Sequence, residues 1–184
     1  MTLALLRRST RSSIALSLTL LLGLPLLLAG QSRAAEFDSY TELGVFRDWV
    51  AYEAEAQGQK TCLMVSIPQT MDRRLPTRQT AAVRAVVVHR PAQGVRGEVL
   101  IETGFPIATN VQADVTIDQT DFKMATDTPG LLWLPTRYEA AFIAAMRRGI
   151  TMVTKVASGN QTISDTYSLR GFTAALRAID EACP

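Results

Sequence analysis

Histidine and cysteine are scarce in this 184-residue chain, which has one histidine, His89, and two cysteines, Cys62 and Cys183. A single histidine leaves Ser-His-Asp or Cys-His chemistry one possible base. Two cysteines and that histidine fall short of the four ligands a structural zinc site needs. Glycine and proline number only 11 and 8, beside 47% hydrophobic and 20% charged residues, so collagenous, low-complexity and disordered classes are excluded. No P-loop, G-x-G-x-x-G, H-E-x-x-H or G-x-S-x-G occurs, which removes the motif-borne case for nucleotide binding, zinc proteolysis and α/β-hydrolase chemistry. A basic surface is lacking too. Four of the 19 bases, Arg7, Arg8, Arg11 and Arg33, lie in a leader without acids, and beyond it 15 bases face 17 acids. Such a balance argues against nucleic acid as a partner.

The leader itself has the three parts of a secretory signal: a basic start, an apolar run from Ile14 to Ala29, and the small-residue end Ser32-Arg33-Ala34. We expect cleavage after Ala34, with residues 1–34 as signal peptide and 35–184 as one domain delivered to the periplasm. The alternative is an uncleaved anchor, because the apolar run approaches the roughly 18–20 residues that span a bilayer. Pro25 and the small-residue end favour cleavage. No later apolar run is long enough to cross, so the mature protein is expected to be soluble and not membrane-spanning. An even cysteine count in an exported chain points to a disulfide, Cys62 to Cys183. It would tie a C-terminal helix to the sheet.

Turn signals about every ten residues divide the mature chain into short runs, the pattern of an antiparallel β domain. The clearest is Val111 to Asp118, apolar at odd positions and polar at even ones. Further strands are expected around residues 44–52, 61–67, 81–89, 98–103, 121–126, 150–157 and 161–167, and this number of short strands predicts a sandwich or barrel. Thr136-Arg137-Tyr138-Glu139 has capping-box spacing before the stripe Tyr138, Phe142, Ala145, Met146, which predicts a short inserted helix. Leu169, Phe172, Leu176 and Ile179 predict the C-terminal helix, and continuing that stripe by four reaches Cys183.

Few residues offer chemistry. His89 ends a strand and reads as a capping or packing residue. Asp114, Asp118, Asp121 and Asp127 form the densest carboxylate run, yet the spacing is not that of an EF-hand and suits turns and outward strand faces. Trp49, Tyr52, Phe105, Trp133 and Tyr167 read as core or sheet-edge aromatics. The connection from Pro68 to Thr80 is long and polar, and Arg73, Arg74 and Arg78 make it locally basic. A surface loop of this kind is the candidate partner-binding element. No catalytic residue, metal site or cofactor is expected.

Several stretches together resemble the invasion-associated locus B family of exported bacterial proteins. They are Asp48-Trp49, Thr61-Cys62, His89-Arg90-Pro91, Glu98 to Pro106, Val115 to Asp118 and, most specifically, Ser168-Leu169-Arg170-Gly171-Phe172. The resemblance implies an immunoglobulin-like antiparallel β-sandwich in a periplasmic or envelope-associated protein, with no enzyme activity or cofactor. Many members carry a further central cysteine pair. Here Gly130 is followed by Leu131, so this chain is similar to a two-cysteine branch. The expectation is a non-enzymatic module that binds an envelope protein or cell-surface component. A structural envelope-integrity factor is the alternative, and a hydrolase using His89 a weaker one.

Overall fold

The computed structural model describes residues 40–184. The leader and the expected cleavage site lie outside the described residues. Ten strands form one antiparallel ladder in the order β1-β2-β3-β4-β5-β8-β7-β6-β9-β10. They are β1 (Thr41–Phe46), β2 (Trp49–Ala56), β3 (Gln59–Ser66), β4 (Arg84–Arg90), β5 (Val95–Glu102), β6 (Gln112–Ile117), β7 (Thr120–Thr128), β8 (Leu131–Trp133), β9 (Thr151–Ser158) and β10 (Gln161–Ser168). Two helices complete the fold, α1 (Glu139–Arg148) and α2 (Phe172–Ala182). Inward residues of both halves, such as Met64, Val87 and Ile101 on one side and Val115, Met152 and Ile163 on the other, share one buried core. The ladder therefore folds over itself as a mainly β, sandwich-like domain, with α1 inserted and α2 at its end.

Three elements differ from the sequence reading. The run at residues 44–52 is a hairpin whose turn falls at Arg47 and Asp48, with Arg47 in the left-handed region at φ 57°. No glycine or proline advertises it. The three-residue strand β8 is too short to register as a period-2 pattern. Thr136–Tyr138 forms a 3-10 turn ahead of α1, and no side-chain cap hydrogen bond is made, so the capping box is not realised.

The Ser168-Leu169-Arg170-Gly171-Phe172 motif joins the end of β10 to the β1–β2 hairpin. The Trp49 indole Nε1–H donates to the Ser168 carbonyl at 3.0 Å, and the Asp48 amide to the Arg170 carbonyl at 3.3 Å. Phe172 meets the Trp49 ring edge to face, centroids 5.1 Å apart. Gly171 sits at φ 94°, where a Cβ would lie 1.8 Å from the Phe46 carbonyl oxygen. Only glycine fits that approach.

Candidate interaction surface

The connection from β3 to β4 is not a free loop but a strap along the outer edge of β10. Thr166 exchanges backbone hydrogen bonds with Gln69 and Thr70, the Ser164 amide donates to Asp72 Oδ2 at 3.3 Å, and Arg74 Nη2 donates to the Thr162 carbonyl at 2.6 Å. These are the outward backbone groups of an edge strand, which would otherwise invite pairing with another chain. Arg74 also forks onto Asp72, and that guanidinium holds the Asp72 carboxyl well below the usual carboxylate range.

Arg78 corrects the sequence reading, since its side chain is fully buried. It forks onto Asp165, donates to the Asp72 carbonyl at 2.7 Å and the Thr103 carbonyl at 2.8 Å, and lies 5.4 Å from the Phe105 ring centroid. The segment folds back to cover the end of the core, and Asp165, distant in sequence, supplies the countercharge. Of the three arginines, Arg78 and Arg74 thus serve the fold. Arg73 is exposed.

His89 is buried beside the disulfide, its strand position paired with Cys62. Cys62 and Cys183 are bonded across a sequence separation of 121 residues. The Gly97 amide donates to His89 Nδ1 at 3.0 Å, which places the imidazole proton on Nε2, 2.9 Å from Asp180 Oδ1 on α2. Arg96 reaches the same oxygen at 2.9 Å and the Cys183 carbonyl at 3.2 Å. Histidine, arginine and disulfide together clamp the end of α2, and both ring nitrogens are engaged in doing so.

Three of the four clustered aspartates are also occupied. Asp118 accepts from the Ile150 amide at 3.2 Å and the Thr151 amide at 3.0 Å, fixing the entry to β9. Asp114 pairs with Lys123, and Asp121 accepts from the Thr116 hydroxyl at 2.8 Å. Asp127 lies in β7. Burial pushes the Tyr167 phenol far above its ordinary range, with the Asp165 charge adding to the effect, so it stays protonated. Among the described residues, no three His, Cys, Asp or Glu side chains converge as metal ligands.

What sequence reading missed is a surface. The outward residues of β2, β3, β4, β5, β8 and β7 line up through the strand registers as Val50, Val65, Val86, Leu100, Trp133 and Ala125. One step along, Tyr52, Leu63 and Val88 form a second apolar row. Val86 and Leu100, 4% and 9% exposed, are screened by their neighbours. Leu63 and Val88 are buried in the same way, and the accessible apolar atoms belong to half-buried Val50, Tyr52, Val65, Leu131 and Trp133 and to exposed Ile67. Ion pairs flank the rows, Arg84 with Glu102 at 2.8 Å and Arg90 with Glu98 at 2.6 Å. Near one corner an open cleft of about 640 Å³ is bounded by Arg47, Tyr52, Ile67 and Arg84. The available signal was in the unbroken runs Leu63-Met64-Val65 and Val86-Val87-Val88, which mark strands covered on both faces.

Taken together, these residues define a small antiparallel sandwich pinned by one disulfide, whose polar motifs serve its own junctions. Residues 49–180 match the family model described as Invasion associated locus B (IalB) protein, and the chain belongs to that family. A crystal structure of invasion associated protein B from Bartonella henselae shares the fold, with a TM-score of 0.51 and 19% sequence identity. The match covers 77% of this chain and 97% of that one. No curated protein matches the chain. No helix among the described residues is long and apolar enough to cross a membrane.

Proposed function

We propose that this chain is an exported, non-enzymatic protein of the bacterial cell envelope that works by protein–protein contact through the outer face of β2–β5 and β8. The observation that carries the reading is the apolar row from Val50 to Trp133. Outward positions of an uncovered antiparallel face are ordinarily polar, and a contiguous apolar patch rimmed by charge marks an interaction site. The leader and the family support export to the periplasm. Full engagement of His89 by Gly97 and Asp180 leaves it no substrate-facing nitrogen, which disfavours a hydrolase.

A photo-crosslinking residue placed at Val65 or Trp133 in cells tests this. Protein adducts are expected from both positions and not from Lys155, on the opposite outer face. Equal capture from all three, or from none, would remove the reading. His89→Ala is expected to weaken the hold on α2 while leaving adduct formation at Val65 intact.

A further inference from the structure

The apolar face also indicates its occupant. Resting on the reading of this face as an interface, we propose that it packs against a second copy of this chain, face to face, about a twofold axis running along the strands between β4 and β5.

The row Val50, Val65, Val86, Leu100, Trp133, Ala125 is apolar for three strands on either side of the β4–β5 boundary. A twofold along that boundary lays β4 over the partner's β5, β3 over its β8 and β2 over its β7. Val86 then faces the partner's Leu100, Val65 the partner's Trp133, and Val50 the partner's Ala125, a large residue meeting a smaller one in the first two contacts. The charges obey the same operation. Both flanking arginines, Arg84 and Arg90, stand on β4, and both glutamates, Glu102 and Glu98, stand on β5. The rotation therefore brings Arg84 against the partner's Glu102, and Arg90 against the partner's Glu98. Each intrachain pair becomes half of a ring of alternating charge. An axis across the strands would instead stack arginine on arginine, so the charge pattern selects one twofold.

Size sets the strength. Four strands, β2 to β5, spaced about 4.8 Å apart along about seven residues at about 3.3 Å each, with the three residues of β8 beside them, give a footprint of roughly 500 Å² per copy. Roughly 1,000 Å² over both copies lies at the low end, among weak and transient interfaces, which fits a reversible dimer.

Sedimentation velocity on the exported protein and two charge variants tests the proposal. Wild type is expected to show a monomer–dimer equilibrium. Arg84→Glu/Arg90→Glu makes both flanks acidic, Glu98→Arg/Glu102→Arg makes both basic, and each alone is expected to dimerise at least about tenfold more weakly. Mixed together they are expected to form a heterodimer. Should a charge variant fail to fold, Trp133→Lys keeps the ion pairs and is expected to abolish dimerisation. A wild-type chain that stays monomeric as concentration rises, a mixture of folded variants that does not associate, or dimerisation unchanged by Trp133→Lys would each overturn the twofold. Crosslinks from Val65 and Trp133 to a different protein would overturn the second copy while sparing the interface reading, whereas no adducts would remove both.

Discussion

The two outer faces of the sandwich differ although their inner faces follow one rule. Around β6, β9 and β10 the outward residues are Asp114 and Thr116, Val153, Lys155 and Ala157, Thr162 and Ser164, polar but for one valine and one alanine, close to what a face in water requires. Around β2, β3 and β4 the outward residues between the flanking Arg84 and Arg90 are Val50 and Tyr52, Leu63 and Val65, Val86 and Val88. Inward positions alternate equally well in both halves, so folding alone does not account for the second set. The difference teaches that alternation reports how many faces of a strand are covered. Where alternation fails, Tyr40, Tyr52, Leu131 and Trp133 pack over the second face, and the proposed partner would cover what they leave accessible.

The largest effect should fall on what joins the halves to their shared core. Cys183→Ser opens a covalent loop over a sequence separation of 121 residues. The chain-entropy model gives about 4 to 5 kcal/mol for a loop of that order, an upper figure, read by urea denaturation. Amide exchange should quicken first in α2 and stay slow in β6. Next comes Arg78→Ala, which leaves Asp165 buried without its countercharge at about 3 to 5 kcal/mol. A smaller loss would mean that the strap relaxes to admit water. The comparison is then broken directly by Val65→Asp against Ala157→Asp. On the apolar face the new carboxylate should cost about 1 to 3 kcal/mol, and on the exposed β9 position no more than about 0.5 kcal/mol. Equal losses would erase the distinction between the faces.

The smallest effect is a pH dependence. Asp72 has its carboxyl held below the ordinary 3.8 by Arg74, so its contribution is complete above that value and is lost as the pH falls below it. Asp72→Asn should therefore lower the urea midpoint slightly near neutrality and flatten its decline in acid. An unchanged acid limb would show that the fork onto Arg74 does not persist in solution.

Much of the fold was legible because it rests on local periodicity. Val111 to Asp118 reads as a strand through strict alternation, and the α2 stripe through its 3-4-3 spacing, which carries on to Cys183. The rest depended on partners far along the chain. Arg78 looked solvated because its neighbours are polar, while its countercharge lies 87 residues away. The turn at Arg47 was hidden because a non-glycine residue adopts positive φ there. Ser168 to Phe172 was recognisable as a motif, but its reason appears only when Trp49 and Phe46 are placed beside it. The apolar outer face was legible in principle, since β3 and β4 do not alternate, but the side each residue takes depends on the register with the neighbouring strands.

The central claim is that the outer face of β2–β5 and β8 is an interface, and the chain's two tryptophans report on it directly. Trp49 is fully buried in the core, whereas Trp133 is half-buried on that face. Iodide quenching of tryptophan fluorescence therefore reads Trp133 against a silent internal reference. Quenching should be strong in dilute protein and fall as concentration rises and the face is covered, and a Trp133→Phe chain should show little quenching at any concentration. Quenching of Trp133 that stays equally strong from dilute to concentrated protein, and is unaltered by envelope extract, would contradict the account.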